Sequence, residues 1–128
     1  MRVLVAATVL FLTAAPAVQA QPTPSRRPSA VDRCMDAGIN MEILMCVSGL
    51  THIQDARLNR AYKAAMARLK PERKMALRSA QRAWIVSREE DCGVYLDERE
   101  YGQQGKIEAE VCVLDRTRER ASELEWFR

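Results

Sequence analysis

The chain has 128 residues, 48% apolar, 29% charged and 5% aromatic, which fits one globular domain and leaves no room for a second. Twenty Lys and Arg against seventeen Asp and Glu give a net charge of +3, too small an excess to indicate nucleic acid or a membrane surface as partner. A single histidine, His52, and four cysteines outside any C-x-x-C pair exclude the usual zinc enzymes and thioredoxin-like redox sites.

Met1-Arg2 is a short positive start, residues 3–15 are apolar except for Thr8 and Thr13, and Val18-Gln19-Ala20 supplies the small residues that signal peptidase cuts after. Residues 1–20 therefore read as a signal peptide cleaved near Ala20, its apolar run being short of the roughly 18 to 20 residues a membrane span needs. No transmembrane segment is expected, and the mature protein should be periplasmic or secreted. Cleavage removes one arginine and no acid, so the net charge falls from +3 to +2. In an oxidising compartment Cys34, Cys46, Cys92 and Cys112 should form two disulfides. Their intervals of 11, 45 and 19 residues match no zinc site, and no metal or other cofactor is expected.

Residues 21–33, rich in Pro, Ser, Thr and Arg at their start, read as a flexible leader, and residues 34–128 as the folded domain. Asn40 is placed to cap a first helix over about 41–69, with Leu44, Val47, Leu58, Tyr62, Ala65 and Leu69 in helical register. Lys70-Pro71 breaks it, because proline restrains its predecessor but fits the first turn of a new helix. Leu77, Ala80, Gln81, Trp84, Arg88 and Tyr95 form the stripe of that second helix, which fades before the glycine-containing loop at 101–105. A third helix spans about 106–126 with Ile107, Val111, Leu114, Arg118, Ala121 and Leu124 on one face. The fold class is all-α: an antiparallel three-helix bundle with two disulfides.

Counting outward from the turn at Lys70-Pro71 sets Asn59 opposite Gln81 and Cys46 near Cys92, and counting from the second loop brings Cys112 near Cys92. Both bridges are expected at that end of the bundle, with all three connectivities open. The same counting brings Asp55 within reach of Arg88, so Asp55, Asn59, Tyr62, Gln81, Trp84 and Arg88 form an expected structural polar network that fixes helix alignment. No nucleophile accompanies Asp55, so no catalytic residues are assigned. His52 reads as a surface helix residue.

The segments Asp55-x-x-Leu58-Asn59-x-x-Tyr62 and Leu77-Arg78-x-Ala80-Gln81-Arg82-Ala83-Trp84-Ile85, with Arg88, Asp91 and the four cysteines, resemble the lysozyme inhibitor LprI-like N-terminal domain family across about 34–124. The resemblance implies an exported bacterial helical domain with disulfides, without cofactor or assigned catalysis, of which one mycobacterial member is associated with inhibition of lysozyme. This chain lacks the lipobox cysteine of that lipoprotein, and the resemblance maps no inhibitory residue onto it.

Charge is unevenly distributed. Residues 57–88 hold ten basic residues and one acid, and residues 89–110 hold eight acids and two basic residues. Lysozymes are commonly cationic, so Glu89, Glu90, Asp91, Asp97, Glu98 and Glu100, beside the disulfides, are the candidate binding residues for a lysozyme-type hydrolase. The alternative is a non-enzymatic cell-envelope protein that binds anionic lipid or wall polymer through Arg57, Arg60, Lys63, Arg68, Lys70, Arg73, Lys74 and Arg78. Trp126 and Phe127 are expected to cover the end of the core. The oligomeric state is left open.

Overall fold

The computed structural model describes residues 28–127; the signal-peptide segment and its cleavage site lie outside them. The described residues are almost entirely helical and contain no strand. The first helix, α1 (Ala30–Met35), falls partly inside the segment read as leader. Its cause is local: the Ser29 hydroxyl accepts from the Asp32 amide at 3.1 Å and the Asp32 carboxylate accepts from the Ser29 amide at 2.7 Å. This reciprocal capping box satisfies two amides that a helix start leaves bare. Gly38, at φ +106°, then turns the chain back, a conformation that disfavours any residue with a Cβ.

α2 (Asn40–Arg68) begins one residue earlier than expected. Ile39 occupies the capping position without a side-chain bond, and Asn40 is the first helical residue rather than the cap. α2 ends at Arg68 with Leu69 as its cap, and Lys70 is extended, as the residue before proline must be; Pro71 opens α3 (Pro71–Gly93). Beyond α3 the chain is not an open loop. A 3₁₀ turn (Val94–Leu96), the single-turn α4 (Glu98–Tyr101) and a second 3₁₀ turn (Gly102–Gln104) lead into α5 (Gly105–Trp126).

Successive long helices run antiparallel, so α2 and α5 are parallel, and these two form the main packed pair. Away from the Lys70-Pro71 turn, Ile43 and Val47 of α2 meet Ile107 and Leu114 of α5 around Cys34. Near the turn, Leu58, Ala61, Ala65 and Leu77 enclose Ala121 and Leu124. The small side chains of Ala61, Ala65 and Ala121, all buried, let the α2 and α5 backbones draw close. Ala80 and Arg118, expected in apolar stripes, are exposed, and Thr117 takes the buried place beside Arg118 at 0% exposure.

The disulfides pair Cys34 with Cys46 and Cys92 with Cys112. The first fastens α1 to α2 and the second fastens the end of α3 to α5, both far from the proline turn. At the other end Arg57 of α2 donates from Nε to Glu125 of α5 at 2.7 Å and also donates to Ser122 at 3.0 Å. The hydrogen bond from Arg57 holds the Glu125 carboxyl below its ordinary value, with the charges of Arg57 and Arg60 acting in the same direction against desolvation. A depressed acid stabilises the fold above its unfolded pKa, and that contribution disappears as pH falls through the folded value. Glu125→Gln should therefore lower Tm at neutral pH and match the parent in strong acid. Thermal unfolding across a pH series checks this, and a Tm difference independent of pH contradicts it.

Candidate functional site

Two surfaces collect the residues singled out by sequence. The first is the tip formed by the end of α3 and the turns up to α5. Its backbone is well constrained: the Cys92–Cys112 bridge closes it, and the Tyr95 and Tyr101 rings meet edge-on with centroids 5.3 Å apart. Gly105 is required beneath it, because an added Cβ would fall on the Tyr95 carbonyl oxygen and lie 2.8 Å from the Tyr101 Cβ.

Glu89, Glu90, Asp91, Asp97, Glu98 and Glu100 are all exposed on this tip, but their duties differ. Asp91 is engaged, pairing with Arg116 at 2.8 Å and accepting from the Ser87 hydroxyl at 3.2 Å. Glu89 stands 3.9 Å from Arg88. Asp97 caps α4 by accepting from the Arg99 amide at 2.9 Å. No cation within 4.0 Å neutralises Glu90, Glu98 or Glu100 among the described residues. The Tyr101 phenol is held above its ordinary value, first by the charge of Glu100, then by desolvation and by its hydrogen bond with Glu100, with Tyr95 and Asp97 adding to the same direction.

The second surface is a groove between α2 and α3, whose backbones separate beyond their turn because α5 packs against both. The six residues of the expected polar network all line it: Asp55, Asn59 and Tyr62 from α2, and Gln81, Trp84 and Arg88 from α3. Its volume is about 400 Å³. Among the described residues the expected cross-groove bonds are absent.

Asn59 donates to Asp55 within α2 at 3.0 Å instead of meeting Gln81. Gln81 accepts from Arg120 at 3.0 Å, and Arg88 donates to the Thr117 hydroxyl at 3.3 Å rather than reaching Asp55. The Arg88 guanidinium also lies 4.9 Å from the centre of the Trp84 ring, a cation–π arrangement. The polar network thus joins α3 to α5, and Thr117 and Arg120 are members that the sequence reading missed. A threonine three residues after Leu114 and four before Ala121 carried the signal for a buried position.

The basic face is partly spent on internal contacts. Arg57 is taken by Glu125 and Ser122, Arg68 donates to the Phe127 carbonyl at 3.1 Å, and Arg73 covers the Phe127 ring at 5.6 Å. Phe127 packs on the core as expected; Trp126 does not, standing 76% exposed. Helical phase explains the difference, since Leu124 takes the inward position at the end of α5 and Trp126 points away. His52 is an exposed residue of α2. Among the described residues no three His, Cys, Asp or Glu side chains gather to hold a metal ion.

A family model described as Lysozyme inhibitor LprI matches residues 32–124, from inside α1 to the last buried leucine of α5. The chain belongs to the LprI lysozyme-inhibitor family. The uncharacterized protein R02472 of Rhizobium meliloti (strain 1021) is similar to it, 28% identical over 132 aligned residues that cover 93% of this chain and 89% of the relative. No solved structure matches it significantly. The LprI match includes both disulfides, the acidic tip and the groove, and stops short of Trp126 and Phe127. Two disulfides in an LprI domain suit an extracytoplasmic setting. Among the described residues no helix is long and apolar enough to cross a membrane.

Proposed function

We propose that this LprI-family domain, exported and cleaved near Ala20, inhibits a lysozyme-type wall hydrolase by inserting its acidic tip into the enzyme's substrate groove. The observation that carries the reading is the pair of Glu98 and Glu100 carboxylates, free of cationic neighbours among the described residues, on the segment closed by the Cys92–Cys112 bridge, with Glu90 likewise free just before it. Carboxylates held in place before binding attract a cationic enzyme during approach and lose little freedom when they dock. The inhibitor needs no chemistry of its own, since filling the substrate groove suffices. Asp91 and Asp97 support the tip, through Arg116 and the α4 cap, while Glu98 and Glu100 make the contact.

Lysis of a cell-wall suspension by lysozyme, followed by turbidity with and without the mature protein, tests this. Lysis should slow with added protein, and the double reversal Glu98→Lys with Glu100→Lys should raise the inhibitor concentration needed by about tenfold or more. Raised salt should slow association, because the charges act across solvent. Unchanged lysis at a large molar excess overturns the reading for that enzyme, and full inhibition by the double reversal overturns the role of the tip.

A further inference from the structure

The groove between α2 and α3 is used by nothing in the inhibitor reading, whose contact surface is the tip. It continues toward the proline turn into a second hollow of about 530 Å³ that shares Tyr62 and Arg78 with the first and adds Lys63, Met66 and Lys74. From Lys74 to Arg88 the trough follows α3 for roughly 20 Å, the length of about six extended residues. Its floor is apolar, with Leu58, Met66 and the Tyr62 and Trp84 rings.

Its rim is cationic. Among the described residues Lys63, Lys74, Arg78 and Arg82 make no ion pair, whereas Arg57, Arg116, Arg118 and Arg120 each hold a carboxylate of α3 or α5. Asp55 is the acid that lines the trough, and Asn59 already holds it. We infer that this trough binds an extended acidic peptide segment of a partner protein, its carboxylates on Arg78, Arg82 and Lys74 and its apolar side chains on the floor between them.

The shape selects this occupant. A membrane meets a convex or flat surface, and Arg78 and Arg82 border the deeper hollow beside Trp84. Arg88 lies over the Trp84 ring and takes up one of the aromatic faces on which a sugar ring would stack. A linear peptide can instead place alternate side chains on the two rims and the floor, and planar guanidinium groups pair with carboxylates through two parallel hydrogen bonds.

The mature protein carrying Trp126→Phe leaves Trp84 as its reporter, since the sequence has two tryptophans. Titration with an eight-residue peptide alternating glutamate and leucine should change its emission saturably, with salt-sensitive affinity, and the same peptide with lysine for glutamate should not. Arg78→Glu with Arg82→Glu, two exposed positions whose loss leaves the fold intact, should weaken binding at least tenfold. Glu98→Lys with Glu100→Lys should leave it unchanged, which separates the trough from the inhibitory tip.

No saturable change, equal response to both peptides, or indifference to the arginine reversals overturns the proposal. So does retention on vesicles of anionic phospholipid or on an anionic oligosaccharide without peptide binding. Self-association of the protein abolished by either pair of reversals would assign the trough to the tip of a second copy instead, and equally overturns it.

Discussion

Alanine at both Cys92 and Cys112 should lower stability by about 3 kcal/mol, roughly 10–20 °C in Tm for a domain of this size, and should weaken lysozyme inhibition more than it weakens folding. The bridge closes a loop of sequence separation 20, and that loop contains Asp97, Glu98 and Glu100 of the tip, with Glu89, Glu90 and Asp91 just before it. What remains without it is the Tyr95–Tyr101 ring contact, the close seat of Gly105 and the Asp91–Arg116 pair. These hold the tip in place but close no covalent loop, so Glu98 and Glu100 would sample more positions before docking and lose that freedom on binding.

The companion variant, alanine at Cys34 and Cys46, opens a loop of separation 12 and carries a similar entropic cost of about 3 kcal/mol. It releases α1 from α2 without opening the loop that carries Glu98 and Glu100, and should weaken inhibition less than the Cys92 and Cys112 variant wherever the protein stays folded. Denaturant unfolding and the lysis assay on the two variants separate these effects. Equal loss of inhibition from both would show that the tip is not the surface in contact.

How the chain bends was plain from local chemistry. Lys70-Pro71 could only be a break, and apolar residues three and four apart defined α2, α3 and α5 before any packing was known. α1 was hidden by composition: the prolines before it suggested a leader, although Ser29 and Asp32 stand at the spacing of a capping box. The polar pairs failed for a different reason. Counting along a two-helix hairpin sets Asn59 opposite Gln81 and Asp55 near Arg88, but it contains no third helix, and α5 brings Arg120 and Thr117 to Gln81 and Arg88.

The groove follows from where those side chains find their partners. Had Asp55 met Arg88 and Asn59 met Gln81, α2 and α3 would close on each other and no trough would exist. Because α5 satisfies Gln81 and Arg88 from behind, the outer faces of the same two helices stay apart, with Arg78 and Arg82 free along one rim. The acidic end was legible as a run of charge, but sequence alone did not reveal that Asp91 and Asp97 are structural while Glu98 and Glu100 are open. For Asp91 that role depends on Arg116, which lies 25 residues away in sequence, whereas the Asp97 cap on the Arg99 amide is local.

Leu124→Ala should cost about 2–5 kcal/mol, toward the upper end of that range, while Trp126→Ala two residues later should change stability by no more than about 0.5 kcal/mol. Leu124 is 1% exposed and sits where α2, α3 and α5 converge. Three of its buried neighbours, Ala61, Ala65 and Ala121, are too short to move into the space that truncation would leave, so the cavity persists and its cost is added to the lost burial. Trp126, the larger side chain, contributes little because most of it remains in water in the folded state. Urea unfolding of both variants decides the matter: if Trp126→Ala proves the more damaging, the C-terminal turn of α5 is rotated from the phase described, and the ties of Arg57 to Glu125 and of Arg68 to the Phe127 carbonyl go with it.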